Sequence, residues 1–194
     1  MIMKIRLNEN SKPNSICAID ASTNSLAFAY FSEDKLIKWG KIKFSGNSAY
    51  EKVADAAKKT QAFFKQYPVD AIIIEQTIYA NSPKTAANLA LSQGAMLGAA
   101  AVSGVKIIGS TSPMVWQNFI GNKRLTNEEK LLISSANPGK SKSWLKQQER
   151  NLRKSRTIKF VNMNFDIKVD DDDVADAIAI GYWANRNWDK AFRY

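Results

Sequence analysis

Apolar and polar positions fall in alternating blocks along the chain, and the blocks predict an α/β protein. Ser15-Ile-Cys-Ala-Ile-Asp-Ala21 is a short apolar run ending in an acid, which reads as a buried strand. Ser22-Thr-Asn-Ser25 forms a turn, and Leu26 to Phe31 alternates small and aromatic residues as a second strand. Ser32-Glu-Asp-Lys35 turns the chain again, and Leu36 to Phe44 alternates as a third strand, completing an antiparallel meander. A helix follows from about Ser48 to Gln66, with Val53, Ala56, Ala57, Thr60, Phe63 and Phe64 at helical spacing, until Pro68 stops it. Val69 to Glu75 is another buried strand ending in an acid. Pro83 suits the first turn of a helix running to about Ser103. Val105 to Gly109 reads as a fifth strand, and Ser112-Pro113 opens a helix toward Ile120.

From Gly121 to Arg156 the chain turns polar and strongly basic. A helix resumes near Ser143 and runs toward Phe165, and a last helix spans Asp170 to about Trp188 with an acidic first turn. The order βββαβαβα, then the basic segment and helices, implies a mixed sheet: a meander followed by crossover-connected strands. Residues 1–14 read as a flexible polar lead, and 15–194 as a single domain carrying a basic insertion at about 121–150.

Composition narrows the chemistry. The 194 residues include 28 Lys+Arg against 18 Asp+Glu, a net charge of +10, which favours a polyanionic partner. There is one cysteine, Cys17, and no histidine. That excludes an intramolecular disulfide, a Ser-His-Asp triad, a Cys-His pair and a His- or Cys-caged zinc. Catalysis must run on carboxylates, lysines, hydroxyls or a hard metal. The most apolar long stretch, Ala86 to Val105, is interrupted by Asn88, Ser92, Gln93 and Ser103, and the N-terminus turns polar after seven residues. Neither a membrane span nor a signal segment is expected, and a cytoplasmic setting is.

Four acids carry the functional argument. Asp20 and Glu75 each end an apolar strand, and strand ends are where α/β proteins tend to place sites. Asp173 and Asp176 stand three apart at the start of a helix, on one face. One acid of Asp170 to Asp173 is expected to serve only as an N-cap, and a strand-end Asp before Ser/Thr/Asn is often only a turn former. Glu75 is harder to explain structurally, because a carboxylate closing Ala-Ile-Ile-Ile needs neutralising if buried. Two carboxylates about 5 Å apart repel by roughly 3 kcal/mol at an effective dielectric near 20. A hard divalent cation relieves that repulsion, and the all-oxygen donor set points to Mg²⁺ or Mn²⁺. Two such ions would suit phosphodiester cleavage.

With these residues in place, the chain resembles the RuvC family of Holliday-junction resolvases within the RNase H-like nuclease superfamily, as a phage or bacterial member. The matching segments are AIDASTNSLAFAYF with Asp20, AIIIEQTIYANSPKTAANLALSQGAMLGAA with Glu75, and DDDDVADAIAIGYW with Asp173 and Asp176. The resemblance implies an RNase H-like α/β fold with a five-stranded mixed sheet flanked by helices. It also implies two Mg²⁺ ions (Mn²⁺ as substitute) and a homodimer nicking two opposed strands of a four-way DNA junction. By position, Asp20 would bridge the metals, Glu75 and Asp176 would complete their shells, and Asp173 would be the remaining ligand or orient water. Asp172 could stand in for Asp173. Lys154 matches a basic catalytic residue, the family's upstream lysine falls at Trp116, and Tyr79 stands where a junction-wedging aromatic is placed.

The basic segment supplies the expected DNA-binding surface: Lys123, Arg124, Lys140, Lys142, Lys146, Arg150, Arg153, Lys154 and Arg156. Trp144 within it is read as a small core anchor. Ala90, Gly94 and Gly98 form a small-residue stripe on the 83–103 helix, explained by packing on its own sheet. The corresponding family helix lies at the dimer face. Cys17 is read as inert core. The leading expectation is thus a metal-dependent, structure-selective junction endonuclease. The alternatives are a related nuclease acting on forks, flaps or RNA hybrids, or a non-catalytic basic DNA-binding module.

Overall fold

The computed structural model describes residues 12–76 and 82–193. Strands β1 (Ser15–Ala21), β2 (Ser25–Ser32) and β3 (Lys35–Lys43) form the expected meander. Helix α1 (Ala49–Gln66) starts at Ser48, whose hydroxyl accepts from the Glu51 amide while Glu51 reciprocates, a capping box. Then come β4 (Ala71–Glu75), α2 (Pro83–Val102), β5 (Ile107–Thr111), α3 (Pro113–Phe119), α4 (Asn127–Ser135), α5 (Lys142–Phe165) and α6 (Asp172–Arg186). A 3₁₀ turn at Trp188–Lys190 leads into a two-residue strand, β6 (Phe192–Arg193). The sheet order is β3-β2-β1-β4-β5-β6, with β1, β4 and β5 parallel. The five expected strands are all present, and β6 adds a short antiparallel edge.

Several boundaries move. The fifth strand begins at Ile107 rather than Val105, because Gly104 takes a left-handed φ of +96° and the Val105 amide still bonds back to the Ala100 carbonyl. The last helix ends at Arg186, where Asn187 caps it before the 3₁₀ turn. The basic segment holds a helix, α4, that hydrophobic periodicity did not reveal. Its signal is the capping box of Thr126 and Glu129. Residues 1–11 of the polar lead lie outside the described residues.

The sheet is covered on both faces. One face packs under α6, with Ile16, Ala18, Ala27, Ala29, Phe31, Ala71 and Ile73 turned toward it. The opposite face, from Cys17, Ile19, Leu26, Phe28, Ile72 and Ile74, meets α1 and α2. Alternation along each strand sends successive residues to opposite faces. Helix α6 sits close because Gly181 has no side chain: a Cβ there would stand 2.2 Å from Phe31 Cε2 and 3.2 Å from the Ala18 Cβ.

At the start of β1 the Ser15 amide and hydroxyl both donate to Asp70 Oδ2, at 3.1 and 3.0 Å, and the Asp70 amide donates back to Ser15 Oγ at 2.9 Å. This clamp ties β1 to the entrance of β4. At the other end, Ser22 Oγ accepts from the Asn24 and Ser25 amides and closes the β1–β2 turn.

Two packing expectations are overturned. Trp144 belongs to neither core; it is half-buried, with the Lys140 ammonium 5.5 Å from its ring centre. The Ala90–Gly94–Gly98 stripe is exposed and does not pack on its own sheet. Helix α2 turns Ser92, Met96, Ala99 and Ala100 inward instead, and nothing lies within 4 Å of where a Cβ would stand on Gly94 or Gly98.

Candidate metal centre

One cross-strand row organises the site. Lys41 on β3 pairs with Ala27 on β2, and Ala27 pairs with Asp20 on β1. On the parallel side, Ile19 pairs with Ile74, so Asp20 and Glu75 stand side by side one residue further on. Glu75 in turn pairs with Thr111 on β5. All five share parity with the residues beneath α6, so the row faces that helix. Helix α6 runs over it with its acidic N-terminal turns at this edge. Asp171 is the N-cap, accepting from the Val174 amide at 3.1 Å, which settles the structural role of one acid in the run.

The four singled-out acids converge here. The Asp20 carboxyl is pushed well above the usual range, first by burial and then by the charges of Glu75, Asp176 and Asp173, with Lys41 opposing. Burial pushes Glu75 up to about 7, against the pull of Trp116 and Arg153. Asp176 rises to about 7 through burial and the Glu75 charge, against a hydrogen bond from Thr157 and the charge of Lys154. Asp20 and Glu75 open onto a cleft of about 230 Å³ walled by Ala21, Gln76, Leu89, Gln93 and Pro113.

Three of the four acids have a supporting partner. The buried Trp116 donates Nε1–H to Glu75 Oε2 at 2.8 Å, so the position expected to lack a family lysine instead holds a second-row donor. Thr157 supports Asp176 and itself accepts from Asn122 Nδ2 at 3.0 Å. Lys41 Nζ lies 2.5 Å from Asp173 Oδ2 and 2.9 Å from Asp171 Oδ2. Lys154 pairs with Asp172. Asp173, not Asp172, is therefore the acid felt by Asp20 and Asp176. Sequence reading missed Lys41, Asn122 and Thr157.

The donors are all oxygen, and burial, with mutual charge second, raises Asp20, Glu75 and Asp176 toward protonation, so the residues present fit a hard divalent cation. Among the described residues, the trio whose carboxylate oxygens all lie within 4.8 Å of one another is Asp171, Asp172 and Asp173, which lysines neutralise; Asp20, Glu75, Asp173 and Asp176 form a looser set, joined by register and by their mutual charge.

The expected DNA-binding residues divide. Lys123, Arg124, Lys140, Lys142, Lys146 and Arg150 are exposed. Arg153 turns inward to Gln117, Lys154 to Asp172 and Arg156 to Glu129. Tyr79 lies outside the described residues. No helix among the described residues is long and apolar enough to cross a membrane.

No family model matches the chain. In sequence, it is 31% identical over 85 residues to the crossover junction endodeoxyribonuclease RuvC of Aliarcobacter butzleri, across 42% of this chain and 55% of that relative. In structure, it superposes on Thermus thermophilus RuvC in complex with Holliday junction substrate with a TM-score of 0.66 at 16% identity, covering 93% of this chain and 99% of that one. The yeast mitochondrial Holliday junction resolvase Ydc2 gives 0.54 at 13% identity, over 92% of this chain and 82% of that one. The fold read from the sequence is borne out: it is that of the RuvC structures, and the chain spans about half the length of the curated relative it matches.

Proposed function

We propose that this chain is a divalent-metal-dependent endonuclease that resolves four-way DNA junctions by nicking opposed strands. The observation that carries the reading is the row that sets Asp20 beside Glu75 beneath Asp173 and Asp176 of α6. Asp20, Glu75, Asp173 and Asp176 would hold two ions, Mg²⁺ or Mn²⁺, and Asp20 is central because the other three all act on it. When bound, such ions supply an activated water and charge stabilisation of the leaving oxygen in phosphodiester hydrolysis. The chain's own residues do the rest. Trp116 fixes the Glu75 carboxylate, and Thr157, set by Asn122, fixes that of Asp176. Lys154 adds positive charge at the α6 end of the cleft.

The exposed Lys123, Arg124, Lys140, Lys142, Lys146 and Arg150 would grip phosphates, a sequence-independent hold that positions rather than reads bases. Paired nicking needs two centres, since one protomer can cut one strand. The exposed small-residue stripe of α2, with Leu91 and Val102 46% and 73% exposed alongside it, supports a homodimer through that helix. The likeness in name and fold to junction resolvases supports the substrate.

The test is cleavage of a labelled four-way junction with Mg²⁺ against EDTA. Asp20→Asn should abolish Mg²⁺-dependent cleavage and retain junction binding; retained cleavage would defeat the assignment. Equal cutting of junctions, forks, flaps and hybrids at one salt concentration would replace the junction reading with that of a general branched-substrate nuclease.

A further inference from the structure

We infer that Lys41 is a positioning residue of the centre: a tethered cation that holds Asp173 in the metal-free protein and yields that carboxylate to the incoming metal. The inference rests on the metal-dependent reading above. Lys41 ends the same sheet row as Asp20, separated from it by Ala27, which offers only a methyl. Its ammonium is half-buried, its side chain 22% exposed. It reaches residues 130 positions away in the chain, bonding Asp171 through both oxygens at 2.9 and 3.1 Å and Asp173 at 2.5 Å.

The direction of this contact is informative. A helix N-terminus carries partial positive charge, so a lysine there is on the unfavourable end of the macrodipole. Lys41 is stabilised at that end by the clustered carboxylates alone. Burial works against its charged form, yet Asp173 and Asp171 keep it protonated. Among the described residues, Asp173 is thus shared between Lys41 and the field of Asp20 and Asp176. A divalent ion at that field would draw on the same carboxylate. Asp171 gives the ammonium a second holding point, so Lys41 can release Asp173 without leaving the helix end.

The contrast with Lys154 supports a distinct role. Lys154 bonds Asp172 and reaches the centre only as a nearby charge on Asp176, without a direct contact to any of the four acids. Lys41 competes; Lys154 flanks.

The experiment is Mn²⁺ titration of the full chain by calorimetry, comparing wild type, Lys41→Gln, Lys41→Arg and Asp20→Asn. Removing a unit positive charge that shares a carboxylate with the metal should tighten Mn²⁺ binding at least about tenfold. Lys41→Arg should bind like wild type. A merely structural lysine would, on removal, weaken binding or leave it unchanged, and either result for Lys41→Gln overturns the inference. Asp20→Asn should lose binding. If it binds like wild type, the metal centre itself is misplaced and both readings fall.

A second readout uses the unmutated protein. Acetylation of lysines by an N-hydroxysuccinimide ester, read by mass spectrometry, should rise several-fold at Lys41 when Mn²⁺ saturates the site. Lys59, held 2.8 Å from Asp55 on α1, should not change. Unchanged Lys41 labelling would refute displacement whether or not the Gln variant folds.

Discussion

Burial of these acids, with their mutual charge second, makes metal-free stability fall as pH rises, the reverse of most acidic sites. Glu75 goes from 4.5 to about 7 on folding and Asp176 from 3.8 to about 7. A carboxyl raised in the folded state binds more protons there than in the unfolded chain between the two values. Stability is therefore greatest below the unfolded values and is lost progressively up to about pH 7. Between pH 5 and 8 each group removes about 2.5 kcal/mol at about 1.4 kcal/mol per unit. Because Glu75 is one cause of the Asp176 shift, the two overlap, for a total of about 4 kcal/mol. The carboxyls held low, such as Asp171 and Asp34, work below this window. The chain has no histidine to add a titration inside it. In urea, with a slope of about 2 kcal/mol per molar, the unfolding midpoint in EDTA should drop by about 2 M from pH 5 to 8. Mg²⁺ at pH 8 should restore it. The double variant Glu75→Gln, Asp176→Asn, which keeps only the buried Asp20, should show a much smaller drop and no Mg²⁺ response. A wild-type midpoint that holds or rises toward pH 8 in EDTA would refute the reasoning.

Trp116→Phe removes the donor that holds Glu75 down, so the acid limb of the cleavage pH profile should move up by about one unit; an unmoved limb would separate Trp116 from Glu75. Gly181→Ala forces a methyl into Phe31 and should destabilise by about 2 kcal/mol in urea unfolding, while leaving metal affinity per folded molecule unchanged. Gly94→Lys meets no neighbour within its own chain, so its unfolding midpoint should not fall, yet sedimentation should show a monomer and paired nicking should become single nicks. A dimer of unchanged strength would move the interface off α2.

What the sequence made legible depended on locality. The strand-end acids stood out because each breaks an apolar run, and the DxxD helix start because its spacing is local. Lys41 was illegible for the opposite reason. In β3 it is one of four lysines, and its role follows only from a register through two hairpins to a helix 130 residues on. Trp116 read as a missing lysine because its indole N–H has no sequence signature. The α2 stripe was assigned inward because small residues suit either a close internal contact or a close external one, and only burial decides between them. The short α4 was hidden by its weak apolar pattern, although its cap was present in the text of the chain.

The Ser15–Asp70 clamp has a bearing on the acids far from it. From Ser15 to Asp20 is five residues, and from Asp70 to Glu75 is also five, on parallel strands. The stretch between, Ile16 to Ile19, is apolar on both sides of the sheet, so sliding by one position would leave greasy contacts much as they were while throwing Asp20 onto the wrong side. Burial alone does not guard against that slip. The serine–aspartate pair acts as a gauge about 16 Å away that sets both strands to zero at the same point. Variation there would misalign the reactive end without touching it.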